Sequence, residues 1–414
     1  MKKYKIKQLE AKYTKRSIFA AMPLLIIIGK FIRYTIMKKV LVDTSIGHYM
    51  LIFINRGYTP FTLLSDEGKS AATGNATWLL HFLKYFGLKT YTEYEIAITI
   101  LWNILLVVLL KNMKKRLTTG QAFFTILSII VLNIFDFNLA KEPVQMLYFV
   151  GIYYAIVNEK LSIEKKYIAV VLIILFSVIT YRSYYILLLF FAGEAFVLFQ
   201  LFSRKKKKIG IIKVLLMAVV LVLTYYVLLN VCRGASPLTF AELYRVRNRA
   251  STAASDMRVL FHSSNLLIFC VDYFIMILRM LFPVELLRLG IKYAPYTLYQ
   301  IVLSFNVIKA IRKNSVNSKE QNLALYVYLG FLLASGTFEP DFGSWVRHES
   351  VCFPLFLIIN QMTEMKEKIN EEEKKNGAGV FRLQIDHNHS FWENCWGVVS
   401  KIRKKMKEKH EDEY

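Results

Sequence analysis

The feature that most limits what this chain can fold into is an alternation. Apolar runs of helical length are separated by short connectors rich in Lys and Arg. Such runs fill residues 17–37, 95–110, 121–135, 167–180, 211–231, 295–309 and 350–362, among others. A hydrocarbon core takes about 20 residues of helix to cross, and inside it every backbone N–H and C=O must find an internal partner. Runs of this kind read as helices in a bilayer. Composition agrees: of 414 residues 55% are hydrophobic and 14% aromatic, and mean hydropathy is +0.37. That is too apolar for an ordinary soluble protein. The sequence therefore predicts an all-α, polytopic membrane protein of about 10–12 transmembrane helices.

A formal charge of +24 points first to nucleic acid. The cations instead gather in the connectors, at Lys111–Arg116, Lys165–Lys166, Arg204–Lys208 and Lys309–Lys313, as cytoplasmic loops require. No basic, aromatic-interleaved soluble domain is present, which argues against nucleic acid as a partner. Cys232, Cys270, Cys352 and Cys395 lie far apart and show neither zinc nor redox spacing. No secretory cleavage site is evident, so 17–37 reads as a retained helix.

The basic residues of 1–16 hold the N-terminus in the cytoplasm, and 17–37 runs outward. The segment that follows, 38–94, is then a long external loop after the first helix. A second one, Arg233 to Ser264, follows the seventh helix. Parity requires 266–290, with Asp272 and Arg279, to cross twice or not at all; it reads as a re-entrant or outer-interface element. The chain divides into a transmembrane domain, 1–365, and a cytoplasmic tail, 366–414. In the tail Phe391, Trp392, Trp396, Val399 and Ile402 share one helical face beside Lys401, Arg403 and Lys404, the pattern of a membrane-surface helix. His387 and His389 with Cys395 are too loosely spaced for a metal site.

The inside connectors are short and basic, whereas the outer ones mix acids, cations, histidines and aromatics. They hold Asp43, His48, Asp66, Glu67, Asp136, Lys141, Glu142, Arg182, Arg245, Arg249, Arg258, Glu339, Asp341, Arg347, His348 and Glu349. The cations suit phosphate, which arginine binds through its planar fork. The acids suit a base or an acceptor for sugar hydroxyls. Plainer readings stay open. Arg347 and His348 can anchor an interface, Lys141-Glu142 can cap the helix at Pro143, and the Arg245–Arg249 series can face solvent.

Three segments carry a resemblance. They are Asp43-Thr-Ser-Ile-Gly-His48-Tyr49 after the first helix, Leu139-Ala-Lys141-Glu142-Pro143 before the fourth, and Gly343-Ser344-Trp345-Val-Arg347-His348 through Pro354. Together with the hydropathy layout, they resemble multi-pass glycosyltransferases of the GT-C fold and the repeat-unit polymerases of bacterial capsule and exopolysaccharide clusters. The resemblance implies a GT-C-like fold in the cytoplasmic membrane, both termini inside. It implies transfer of sugar or oligosaccharide units from a polyprenyl-phosphate or polyprenyl-diphosphate donor at the outer face. Asp43 would be the base, with Asp66 and Glu67 as second candidates. Lys141, Arg182, Arg258 and Arg347 would hold the lipid-linked phosphate, beside His48, Glu142, Arg245, Arg249 and His348 as substrate contacts. The implied partners are the polyprenyl-linked saccharide, membrane lipid and other polysaccharide-assembly proteins. No cofactor and no metal ligand is implied, although a divalent metal stays open. No Trp-Trp-Asp motif argues for protein glycosylation, and no Gly-rich nucleotide loop is present. The alternative is a lipid-linked oligosaccharide flippase or transporter, for which mid-helix charges such as Glu194 and Asp272 are few.

Cysteines introduced singly at positions 43 and 347 should react with an impermeant thiol reagent from the same, external side of intact cells. Reaction from opposite sides would break this layout.

Overall fold

The computed structural model describes residues 2–38, 51–52, 71–182, 184–202, 266–314, 317–339 and 341–363, with scattered positions between 210 and 261. Asp43, His48, Asp66, Glu67, Arg245, Arg249, Arg258 and the whole 366–414 tail lie outside the described residues. The fold is about 82% helical, with no strand among the described residues.

The helices begin where the sequence supplies caps. The helix Tyr91–Lys111 (α3) opens on a reciprocal Thr90/Glu93 capping box. Thr118/Gln121 does the same for Thr119–Phe135 (α4), and Ser318/Gln321 for Lys319–Phe338 (α10). Each box satisfies backbone N–H groups that the first turn leaves open. Pro143 starts Glu142–Val157 (α5), where its missing N–H costs nothing. Ser162 caps Ile163–Thr180 (α6). The remaining helices are Lys2–Phe31 (α1), Ala71–Lys84 (α2), Tyr185–Phe202 (α7), Leu266–Leu281 (α8), Ala294–Arg312 (α9), Phe342–Ser350 (α11) and Phe353–Ile359 (α12).

Two ends of this bundle differ in chemistry. At the basic end Lys15 donates to Lys111 O (2.9 Å) and Met113 O (2.5 Å). Lys166 pairs there with Glu320 at 2.9 Å, and Gln121 donates to Asn360 O at 2.7 Å. At the other end Arg33, Glu95, the 136–143 connector, Arg182 and Glu339 meet. Successive helices therefore alternate in direction: α1, α4, α6 and α10 run away from the basic end, while α3, α5, α7 and the α11–α12 pair return to it. Among the described residues three segments, Lys15–Ile36, Tyr91–Lys111 and Tyr185–Phe202, are long and apolar enough to cross a membrane. Their outward faces are apolar, with Ile27, Phe31, Ile96, Ile100, Ile104, Ile186 and Val197 exposed.

One departure from the sequence expectation matters, and one ambiguous stretch gains a definite form. The last helix, expected over 350–362, begins earlier and is interrupted: α11 stops at Ser350 and α12 restarts at Phe353. Pro354 lacks the N–H that would continue α11 and clashes with the turn before it. Residues 266–281, expected as a re-entrant or interface element, form one continuous helix packed against α10, with Gly336 against Ile277 and Tyr273 OH on Leu333 O.

Two further glycines mark close helix approaches. A Cβ on Gly29 of α1 would sit 2.7 Å from Asn133 Cβ of α4, and one on Gly330 of α10 would sit 2.8 Å from Ala192 N of α7. Backbone cannot retreat as a flexible side chain can. Gly330→Ala should therefore destabilise by about 1–3 kcal/mol, read as a lowered thermal midpoint in detergent. Gly193, with nothing within 4 Å of its Cβ position, is the control. Gly193→Ala should be neutral or stabilising by up to about 1 kcal/mol. Equal effects at the two positions would contradict this packing.

Candidate functional site

The connector between α4 and α5, Asp136-Phe-Asn-Leu-Ala-Lys141, is not helical, yet it and the first residues of α5 are buried at every position except Lys141, which is partly exposed. Connecting segments normally run over the surface because their backbone polar groups need water. Here side chains replace the water. Arg33 Nη1 donates to Ile134 O at 3.0 Å, and Asn138 Nδ2 to Phe135 O at 2.6 Å. Thr99 Oγ1 donates to Phe137 O at 2.8 Å, and Lys30 Nζ donates to the same carbonyl. Tyr181 OH donates to Lys141 O at 3.3 Å, and Trp102 Nε1 to Pro143 O at 3.1 Å.

Arg33 itself is 1% exposed and sits in a π-helical turn, Ile32–Ile36, that prolongs α1. Its Nε lies 3.1 Å from Glu95 Oε1 on α3, so the buried charge is paired. Beside it Asn103 and Asn133 exchange side-chain hydrogen bonds of 2.9 and 3.1 Å between α3 and α4. These contacts fix the connector from one side.

α11 fixes it from the other. Asp341 caps α11 by accepting from Ser344 N at 2.8 Å, and Phe342 N donates to Ser255 O at 3.0 Å. Gln145 Nε2 of α5 donates to His348 O at 3.0 Å. Ser350 Oγ lies 2.5 Å from Asp136 Oδ2 and 2.6 Å from Val346 O. A hydroxyl carries one proton, so both contacts are hydrogen bonds when Asp136 is itself protonated. Burial pushes the Asp136 carboxyl well above the usual range, which fits that arrangement.

His348 is the hub. Its Nδ1 lies 2.5 Å from Glu339 Oε1, and its Nε2 lies 2.7 Å from Arg182 Nη2. A guanidinium only donates, so Nε2 accepts and Nδ1 carries the hydrogen that Glu339 receives. Burial would raise the Glu339 carboxyl, but His348, Arg182 and Ser344 outweigh it and hold it below the usual range. Arg182 stacks over Tyr181 and Tyr184, with its guanidinium carbon 5.1 and 5.4 Å from the ring centres.

Glu142 completes the group. It is 0% exposed, with Oε1 3.5 Å from His348 Nε2 and 3.9 Å from Arg347 Nε. Neither of its oxygens has a hydrogen-bond partner among the described residues. That follows from the ring's tautomer: Nε2 already accepts from Arg182 and has no proton for Glu142. Lys141 stands at the head of the same helix, and burial, with Arg182 and Arg347 nearby, lowers its amine to about 8.

Of the residues expected from sequence, Lys141, Glu142, Arg182, Arg347 and His348 thus lie in one cluster, drawn from three separate connectors. Glu339, Asp136, Tyr181, Gln145 and Ser350 belong to it as well. Glu339 and Asp136 stood out in the sequence only as acids between apolar runs. No short spacing marked Glu339, nine positions from His348, as its partner. Among the described residues no group of three His, Cys, Asp or Glu side chains is placed to hold a metal ion. The arrangement can orient an imidazole through a carboxylate, and it holds three cations, Lys141, Arg182 and Arg347, toward one end of the bundle.

The chain matches no family model, no curated protein and no solved structure.

Acylation of Lys141 by an amine reagent, followed by mass spectrometry, should rise with pH through about 8, well below the ordinary 10.5, because the neutral amine is the reactive form. Arg182→Ala removes a neighbouring cation and should move that midpoint upward. A midpoint at the ordinary lysine value in the wild type would contradict the placement of the partly exposed Lys141 amine in a desolvated site beside Arg182 and Arg347.

Proposed function

We propose that this chain is a membrane glycosyltransferase or polysaccharide polymerase, working at the outer face of the cytoplasmic membrane on a donor linked to polyprenyl phosphate or diphosphate. The observation that carries the reading is the cluster itself. Lys141, Arg182 and Arg347 come together beside an oriented Glu339–His348 pair, at the end of the bundle opposite the basic connectors. The positive-inside rule makes that end external. Three helices of crossing length and an apolar outer surface support a bilayer setting. The alternating helix directions support a polytopic, GT-C-like layout.

The chemistry follows from the residues present. The cations receive the phosphate oxygens in a water-poor site, where such contacts are strongest. When Arg182 turns to an anionic oxygen it releases His348 Nε2. The freed nitrogen accepts the proton of an acceptor hydroxyl while Glu339 holds Nδ1. The hydroxyl oxygen forms a bond to the anomeric carbon as the bond from that carbon to the phosphate oxygen breaks. The phosphate leaves with the electron pair and stays on the cations. Asp43, Asp66 and Glu67 remain the other base candidates, with His48, Arg245, Arg249 and Arg258 as further substrate contacts.

A lipid-linked oligosaccharide flippase or transporter is the second reading. The buried Glu349 in the bundle interior favours it, since an acid at that depth is usual in transporters.

In a transfer assay with a defined polyprenyl-diphosphate oligosaccharide, His348→Ala and Arg347→Ala should each cut product by at least about 100-fold, with the protein still in the membrane. Asp43→Asn separates the bases. A comparable loss there assigns the base role to Asp43, and full activity assigns it to His348. Undiminished transfer in both His348→Ala and Arg347→Ala would end this reading, and donor translocation without transfer would favour the second.

A further inference from the structure

On the inner side of that cluster, next to His348, the end of α11 before the break places a carboxyl group in the middle of the bundle. Glu349 is 0% exposed. Its Oε1 accepts from the hydroxyl of Tyr328, midway along α10, and its Oε2 has no hydrogen-bond partner. Among the described residues no Lys, Arg or His forms an ion pair with it. Asp136, the other buried acid nearby, differs in having Arg347 and Arg33 within electrostatic reach.

α9 turns a matching set of groups toward this acid. Gln300 and the hydroxyls of Tyr296 and Tyr299 are fully buried and make no hydrogen bond of full geometry, although Gln300 faces the Glu349 carboxyl and Tyr299 faces Ser128. All three lie within electrostatic reach of Glu349. Buried polar groups are normally satisfied, and several unsatisfied together mark a place for something that satisfies them. The donor set says what. The four groups named supply oxygen ligands and one acid among neutral groups, while Asp136 and Glu339, which reach Tyr299 and Tyr296, have cations of their own nearby. A divalent ion would call for more carboxylates, and a transition metal for imidazole or thiolate. One negative charge among neutral oxygens balances one positive charge. Broken helices at mid-depth are where membrane proteins hold small coupling cations, because the break frees the chain to turn polar groups inward.

We propose that Glu349, Gln300, Tyr296 and Tyr299 bind an alkali-metal ion at the α11–α12 break. The ion neutralises the buried carboxylate and ties α9 to α11. His348 is the neighbour of Glu349 on α11, so occupancy also steadies the hub of the outer cluster. This inference does not depend on the glycosyl-transfer reading.

The test uses the full chain purified in detergent at mildly alkaline pH, where a carboxyl can ionise. Thermal unfolding is followed by tryptophan fluorescence in sodium, potassium or choline chloride at constant ionic strength. The expected result is a saturable rise in Tm with sodium or potassium and none with choline, the responsive salt identifying the ion. Glu349→Gln and Gln300→Leu should abolish the rise. Tyr299→Phe, which removes only a hydroxyl and should fold, should raise the half-saturating concentration about tenfold, the equivalent of one lost ligand contact. Superimposable curves in the three salts for the wild type would overturn the proposal. So would a rise that follows acidification alone, since a proton would then be the occupant, or a full salt response retained in Tyr299→Phe.

Discussion

Everything at the polar end of this protein depends on a stretch of non-helical backbone that has been taken out of water. The 136–143 connector is buried, so each of its carbonyls must find a donor within the protein. An unmade hydrogen bond of this kind costs about 1–3 kcal/mol, whereas a made one contributes only about 0.5–1.5 kcal/mol. The asymmetry explains the supply of donors: Lys30 from α1, Thr99 and Trp102 from α3, and Tyr181 after α6. Three separate parts of the chain converge on one loop, and together they hold its shape.

That shape is what brings chemistry together. With the connector fixed, Lys141 and Glu142 stand at the start of α5, facing α11. α11 in turn is held by its Asp341 cap, by Gln145 on the His348 carbonyl and by the Ser350–Asp136 contact. His348 is left with its two nitrogens assigned, one to Glu339 and one to Arg182. Glu142 is left with cations near it and no hydrogen bond. Burying a carboxyl costs free energy, which for Glu142 is offset by His348, Arg347 and Lys141, the groups that hold it below the usual carboxylate range. The same rule, applied to the bundle interior, singles out Glu349.

Much of this architecture can be read from the residues alone, for an identifiable reason. Lys and Arg mark the connectors at one end of the bundle, and among the described residues α1, α3–α7 and α10–α12 alternate in direction between that end and the other. Lys141, Glu142, Arg182, Arg347 and His348 were legible because charged groups flanking apolar runs stand out against their surroundings. The partnership of Glu339 with His348, and the capping of the connector by Trp102 and Tyr181, were not. These are contacts between distant segments, and an aromatic residue in an apolar helix carries no mark that its N–H or O–H is needed elsewhere. The break after Ser350 had only Pro354 as a sign. Asp272 and Arg279 made the course of 266–290 ambiguous in the sequence; 266–281 is one helix, and Arg279 finds Glu285 at 2.7 Å beyond its end.

The central claim is that the 136–143 connector is buried and internally hydrogen-bonded. Amide hydrogen exchange of the full chain in detergent or lipid, resolved by mass spectrometry to this segment, tests it most directly. Exchange as slow as in the flanking helices α4 and α5 is the predicted result, with Trp102→Phe accelerating it locally. Exchange at the rate of an exposed surface loop in the wild type would contradict the account.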